Sequence, residues 1–448
     1  PASGANVPSQ RRSEVNITRA SSGPAWRQYL QAMGPGLVTG ASDDDPSGVA
    51  TYSQAGAKFG LSFLWTALLT LPLMAGVQEI CDRTALATGR GLGELTVKRF
   101  GRVGRSAVSV LVGALILANA LNIAADLLAI GSGMTLLHAG PTAVWAPVAG
   151  LVITVMLVLE SFSRIAVVFK VLCAALLTYL VVAVMVTHDW GSVASHTFLP
   201  RISLSKEYLA LLVAVLGTTV SPYLFFWQSA HRIEELRDEP ETGSRVVPLK
   251  DQSPSTARKK QRTSRLDVFT GMTFSNLVMF SIIVATAQTV HGKDIQSAAD
   301  AARALQPVAG HFAGTLFALG FIGSGLLAIP VLAGSGSAGM AGLLGKRWGF
   351  SRSPRKAPVF YGLVALGTLG GVVLSLIHVN AIKLLVLVAV INGVAAAPFL
   401  IVVMLVSGNH RLMGDFVNGR AATVIGWTTA GLMATAAVAM FATGGVSL

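Results

Sequence analysis

Eleven stretches of about twenty apolar residues recur along this chain of 448 residues, near 33–54, 60–80, 106–137, 142–160, 165–187, 208–230, 267–290, 311–342, 358–377, 382–406 and 422–443. A helix of that length spans the roughly 30 Å hydrocarbon core of a bilayer. The apolar runs are continuous, whereas a membrane barrel would alternate over about ten residues. Charged residues make up only 12% of the chain and hydrophobic ones 52%, against about 25% charged in a soluble domain. The expected class is an all-α integral membrane protein.

Basic residues set the expected topology. With the N-terminus inside, segments 1–30, 81–105, 161–170, 231–265, 343–356 and 407–421 hold 28 Lys and Arg, and the other side holds six. The positive-inside rule then places the N-terminus in the cytoplasm and the C-terminus outside, in a multi-pass cell membrane protein. The same sorting absorbs most of the net charge of +13, so no nucleic-acid partner is expected. Residues 1–30 are a cytoplasmic tail, with no apolar core that would make a cleavable signal peptide. Residues 231–265 read as a mobile cytoplasmic linker, whose Arg258-Lys259-Lys260 run is either a solvated topology signal or a contact to anionic lipid. Cys81 and Cys173 suggest neither a disulfide framework nor a zinc site.

Two interruptions stand out inside the apolar spans. The first is Ser42-Asp43-Asp44-Asp45-Pro46-Ser47-Gly48. Each Asp at the bilayer centre costs roughly 2.5–3.5 kcal/mol, so three together need a cavity, a cation or partner groups. Pro46 and Gly48 break the helix there and free carbonyls for an ion. The second is Gly217-Thr218-Thr219-Val220-Ser221-Pro222-Tyr223 in the sixth span. Breaks in spans one and six predict two inverted five-helix repeats, residues 31–190 and 205–408, with a cation site between them and an added eleventh helix in 420–448.

Other polar residues in or near the spans have more than one reading. Asn392, near Gly393 and Pro398, either reaches a hydrated ion or joins two helices. Asp126 either pairs with a cation inside the bundle, the reading favoured here, or serves a proton path, and Asn119 and Asn122 are expected to knit helices together. Glu160 with Arg164 reads as an interfacial pair, and His231 as an interfacial residue beside Gln228.

Several of these stretches together resemble one family. Gly34-Pro35-Gly36, Asp45-Pro46-Ser47-Gly48 and Ala55-Gly56-Ala57-Lys58-Phe59-Gly60 are similar to the first helix of the natural resistance-associated macrophage protein (NRAMP) family of divalent metal transporters. Gln78-Glu79 with Ala87 to Gly91, Ala124-Ala125-Asp126-Leu127, Gly217 to Tyr223, Ala333 to Gly339 and Asn392 to Pro398 fall in the order of its further motifs. The resemblance covers roughly residues 30–445. It implies a LeuT-type fold, with the metal held between unwound parts of helices one and six.

The implied ligands carry over unevenly. Asp45 keeps the family's anionic ligand, but its Asn falls on Gly48, its Met on Ser221 and its helix-six His on Tyr223. Its third-helix acid falls on Ala129, and its ninth-helix arginines have no equivalent between Val359 and Ile377. Loss of the soft thioether leaves an all-oxygen site of the kind hard cations accept. The expected metal site comprises Asp45, Asp44, Asp43, Ser47, Gly48, Thr218, Ser221, Tyr223 and Asn392. Asp43 and Asp44 hold the ion through its waters, or one of them instead caps a helix end or lines the outer vestibule.

The expected activity is alternating-access transport of divalent metal, Mg²⁺ and Mn²⁺ foremost, as facilitated entry rather than obligatory proton symport. The alternatives are a proton-coupled Mn or Fe symporter, or a LeuT-fold carrier of organic cations or amino acids. An enzyme is not expected, because neither a second Asp-rich motif nor paired protease aspartates occur. The metal is substrate, no cofactor is expected, and the protein is expected to work as a monomer in the lipid bilayer.

Overall fold

In the structure, a computed structural model, residues 35–159, 177–238, 246–306, 310–377 and 379–444 are described. Cys173 and the expected Glu160–Arg164 pair lie outside them. The first half runs α1 (Pro35–Asp43), α2 (Pro46–Phe59), α3 (Leu64–Thr88), α4 (Leu92–Leu136), α5 (Thr142–Leu159), α6 (Thr178–Val186) and α7 (Trp190–Phe198). The second runs α8 (Lys206–Thr219), α9 (Pro222–Asp238), α10 (Pro254–Thr289), α11 (Ala298–Ala302), α12 (Ala313–Leu343), α13 (Pro358–Ser375), α14 (Ala381–Ser407), α15 (His410–Met413) and α16 (Arg420–Ala442). Among the described residues there is no strand.

Nine segments of the described residues are long and apolar enough to cross a membrane. The difference from eleven has two sources. α2 and α3 run on through a 3-10 turn, Gly60–Phe63, and count as one segment. The fifth expected span is described only over its last part, α6.

Both expected breaks are present, and their local chemistry explains them. α1 stops at Asp43, and α2 opens on Pro46, whose fixed φ and missing N–H suit a first helical position. Asp45 caps α2 from an extended conformation (φ −66°, ψ 169°). In the second break α8 ends at Thr219, and α9 opens on Pro222 after Val220 and Ser221.

The helices extend further on the basic side than the apolar runs do. The linker expected over 231–265 is helical at both ends, since α9 continues to Asp238 and α10 starts at Pro254 behind a Ser253 cap. α4 likewise begins at Leu92 and carries a kink at Gly101 (φ 66°, ψ −154°). Arg99 and Arg105 on these extensions stand above the apolar core rather than in loops.

Small residues let the broken helices pack backbone to backbone. A Cβ on Gly217 of α8 would meet the backbone of Ala389 and Gly393 on α14, and one on Gly393 would meet the Val213 carbonyl. α1 lies as tightly on α10, where a Cβ on Gly40 would strike the Gly271 backbone. In a membrane such close approach supplies the packing energy that apolar burial against lipid cannot.

Each end of the bundle is tied shut. At the basic end Arg232 of α9 donates to Asp82 of α3 (2.7 Å) and to Asp267 of α10 (3.2 Å), and Asp267 also accepts from the Gly36 amide of α1 at 2.8 Å. Gln228 donates to Asp82 at 2.8 Å and accepts from Thr39. At the other end residues 290–297 strap across α2. Gly292 N–H donates to the Ala57 carbonyl at 2.8 Å, Gln54 donates to the Ile295 carbonyl, and Lys58 pairs with Asp294 at 3.4 Å. Asn380, capping α14, holds the Gln296 carbonyl at 3.0 Å.

Candidate metal site

The first break places three carboxylates in succession where no water reaches them: Asp43, Asp44 and Asp45 are at most 1% exposed. The broken backbone aims them apart. Asp45 Oδ1 accepts from the Gly48 amide at 2.8 Å and from the Ser47 hydroxyl at 2.5 Å, as a helix cap does. Its Oδ2 receives the Tyr223 hydroxyl at 3.3 Å, and the same hydroxyl lies 3.4 Å from the Ser42 carbonyl. Tyr223 therefore joins the second break to the first.

Asp43 and Asp44 turn toward α10. Ser275 donates to Asp43 Oδ2 at 2.5 Å and lies 3.3 Å from Asp44 Oδ1. Asp43 Oδ1 and Asp44 Oδ2 are buried without a hydrogen-bond partner. Asp126 on α4 is buried within electrostatic range of Asp45, and both its oxygens lack a partner. A buried carboxylate oxygen with no donor carries the full desolvation penalty of that group, so these four oxygens suit a cation or a proton.

The remaining expected residues divide. Gly48 stands against Thr218, since a Cβ there would lie 3.2 Å from Thr218 Oγ1 and 3.3 Å from the Asp43 carbonyl. Absence of a side chain at Gly48 is what keeps that space open. The Ser221 hydroxyl instead turns back to its own helix, donating to the Gly217 carbonyl at 2.7 Å with the Thr218 carbonyl at 3.0 Å. Serine competes for carbonyls this way at the end of a helix. Asn392 sits on α14 beside Gly393, with Nδ2 buried and unpartnered. Asp45, Ser47, Gly48, Thr218 and Tyr223 thus lie on one side, Asp43 and Asp44 on another that faces Ser275 of α10, and Ser221 offers its hydroxyl to neither.

Two expectations outside the site are corrected. Asp126 has no cationic partner among the described residues, because no Lys or Arg reaches that depth of α4. Asn119 knits α4 to α12 as expected, donating to the Leu332 carbonyl at 2.8 Å, but neither polar atom of Asn122 finds a partner. Ser275 is a site residue the sequence reading missed. Its signal is the Ser275-Asn276 pair in the apolar run of the seventh span, where Asn276 donates to the Ala67 carbonyl at 3.0 Å.

Among the described residues no three Asp, Glu, His or Cys side chains converge as a finished metal cage. The wall offers carboxylate, hydroxyl and carbonyl oxygen, and no thioether or imidazole. Oxygen donors of this kind suit hard divalent ions.

Comparison with known proteins adds an independent line. Residues 36–443 match the family described as natural resistance-associated macrophage protein-like. The chain is similar to the divalent metal cation transporter MntH of Deinococcus radiodurans, 28% identical over 426 residues, covering 92% of this chain and 90% of the relative. It is also 28% identical over 420 residues to MntH of Ralstonia nicotianae, covering 90% and 89%. Among solved structures, the Eremococcus coleocola manganese transporter aligns with TM-score 0.73 at 16% identity, over 97% of this chain and 90% of that one. Mhp1, a nucleobase-cation-symport-1 family transporter in a closed conformation, aligns with TM-score 0.56 at 12% identity, over 92% and 93%. These likenesses establish the LeuT-type fold, with its two inverted repeats.

Proposed function

The chain belongs to the natural resistance-associated macrophage protein-like family, and from that premise we propose that it carries divalent metal ions, Mg²⁺ and Mn²⁺ foremost, across the cell membrane by alternating access. The observation that carries the reading is the pair of buried, unpartnered oxygens, Asp43 Oδ1 and Asp44 Oδ2, beside Asp45 where two broken helices face each other. Asp45 Oδ2 is the inner ligand in this reading, exchanging the Tyr223 hydroxyl for the ion. Asp43 and Asp44 hold the ion's remaining waters, Thr218 and Asn392 complete the oxygen lining, and Ser221 contributes by leaving out a thioether. The ion is hard and partly hydrated because nothing in that lining is soft.

The excess of Lys and Arg on one side supports a cytoplasmic N-terminus and an external C-terminus. Entry runs down the membrane potential in a monomer. A second reading, proton-coupled symport, draws support from Asp126, whose two unpartnered oxygens near Asp45 are placed to carry a proton.

Reconstituted liposomes test both. Mg²⁺ and Mn²⁺ uptake competed by either ion, and abolished by Asp45→Ala, is the expected result. Tight Cd²⁺ binding with Mg²⁺ excluded would overturn the hard-ion reading. Intravesicular pH that stays level during uptake fits facilitated entry, whereas stoichiometric acidification fits symport.

A further inference from the structure

A cavity of about 390 Å³ opens at the basic end of the bundle, away from the broken helices. Arg90, after α3, and Lys98 and Arg105, on α4, form one side. Arg237, at the end of α9, and Lys346, Arg347 and Arg352, after α12, form the other. The single acid in the lining is Glu94, whose Oε1 accepts the Trp348 indole N–H at 2.9 Å.

Trp348 builds the floor. It is 2% exposed, the Arg237 guanidinium stacks over its ring at 4.6 Å, and Arg237 Nη1 donates to its carbonyl at 3.0 Å. The guanidinium is thereby fixed in place before any ligand arrives, which is how arginine recognises planar oxyanions best. Arg352 Nε is buried with no hydrogen-bond partner. Slight desolvation at the cavity wall, then the neighbouring charges of Arg90 and Lys250, hold the Lys98 ammonium below the usual lysine range. Cations crowded into a concave wall repel one another, and a multivalent anion reverses the sign of that interaction.

We propose that this cavity binds a phosphate-bearing ligand, the chemistry shared by an acidic phospholipid headgroup and a soluble phosphorylated metabolite. The volume fits a small polar ligand. Arg105 stands next to Gly104, where the apolar span of α4 begins, so the mouth opens at the membrane–water boundary. Charge sorting assigns this side to the cytoplasm. Basic pockets at that level take phosphate headgroups. The inference is independent of which ion the protein carries.

Two binding measurements on the full-length protein test it. One is retention of cardiolipin against phosphatidylcholine, read by native mass spectrometry. The other is equilibrium binding of radiolabelled pyrophosphate in lipid-free detergent. Arg347→Gln with Arg352→Gln should weaken binding about ten-fold or more, since each removes a charge-assisted hydrogen bond. Lys98→Gln, on an exposed side chain, should weaken it while leaving the unfolding temperature unchanged. Arg411→Gln with Arg420→Gln, exposed on the same basic side but outside the cavity, should leave it unchanged. Retained cardiolipin identifies the headgroup as the source, and bound pyrophosphate alone identifies a soluble ligand. Binding of neither probe by the wild type, or equal weakening by the cavity and control pairs, would overturn the proposal.

Discussion

Tyr223 Oη lies 3.3 Å from Asp45 Oδ2, one hydrogen bond joining the two broken helices at the centre of the bundle. The phenol occupies the carboxylate face that an incoming ion would need.

Tyr223→Phe removes that competitor and keeps the ring packed. A hydrogen bond is worth about 0.5–1.5 kcal/mol net, so the KM for Mg²⁺ in liposome uptake should fall about two- to ten-fold at unchanged protein content. A raised KM would show instead that the phenol is itself a ligand.

Ser275→Ala takes away the hydroxyl that donates to Asp43 Oδ2 and Asp44 Oδ1. Hydrogen bonds to charged groups are worth about 1.5–3 kcal/mol, so metal-free protein should melt lower in detergent. Divalent metal should restore more of the melting temperature in the variant than in the wild type, because bound ligand stabilises the folded state by mass action. Equal shifts in both would dissociate Ser275 from the site.

Arg232→Gln leaves Asp82 and Asp267 facing each other without their shared cation. Breaking a buried pair from one side costs about 3–5 kcal/mol. The variant should lose stability by an amount of that order in thermal unfolding, and Arg232→Met combined with Asp82→Leu should lose less. A single variant as stable as wild type would show that water already screens the cluster.

The strap across α2 should be indifferent to pH over the neutral range. The Asp294 carboxyl is held below its usual range, first by the Gln296 side chain and then by Lys58. A depressed carboxyl favours the folded strap at any pH above the ordinary value of about 3.9 and stops doing so as pH falls through its lower folded value. Hydrogen exchange of residues 290–297, corrected for intrinsic rates, should stay flat between about pH 8 and pH 5. Asp294→Asn should loosen the strap at pH 7, and modestly, because the pair with Lys58 is exposed.

Much of this arrangement was legible in the sequence because proline and glycine mark it. Pro46 and Pro222 locate both breaks, and the apolar runs locate the spans. Helix that leaves the membrane is harder to see. The first turns of α10, with Arg258, Lys259, Lys260 and Arg262, are polar enough to read as loop, and only the Ser253 cap marks their start. Ser275 was hidden for another reason. A serine in an apolar span ordinarily donates to its own helix, as Ser281 does to the Leu277 carbonyl at 2.7 Å. Only the packing of α1 on α10 brings Asp43 within its reach. The same holds for Arg232, whose partners lie 150 and 35 residues away.

Asp45 ends on two duties at once. Its Oδ1 fastens the first turn of α2 through Gly48 and Ser47, while its Oδ2 faces the interior. A cap of this kind is worth about 0.5–2 kcal/mol, so an ion that draws both oxygens to itself must let the start of α2 fray. In the proposed metal reading, cargo arriving at that carboxylate registers as slack in one helix.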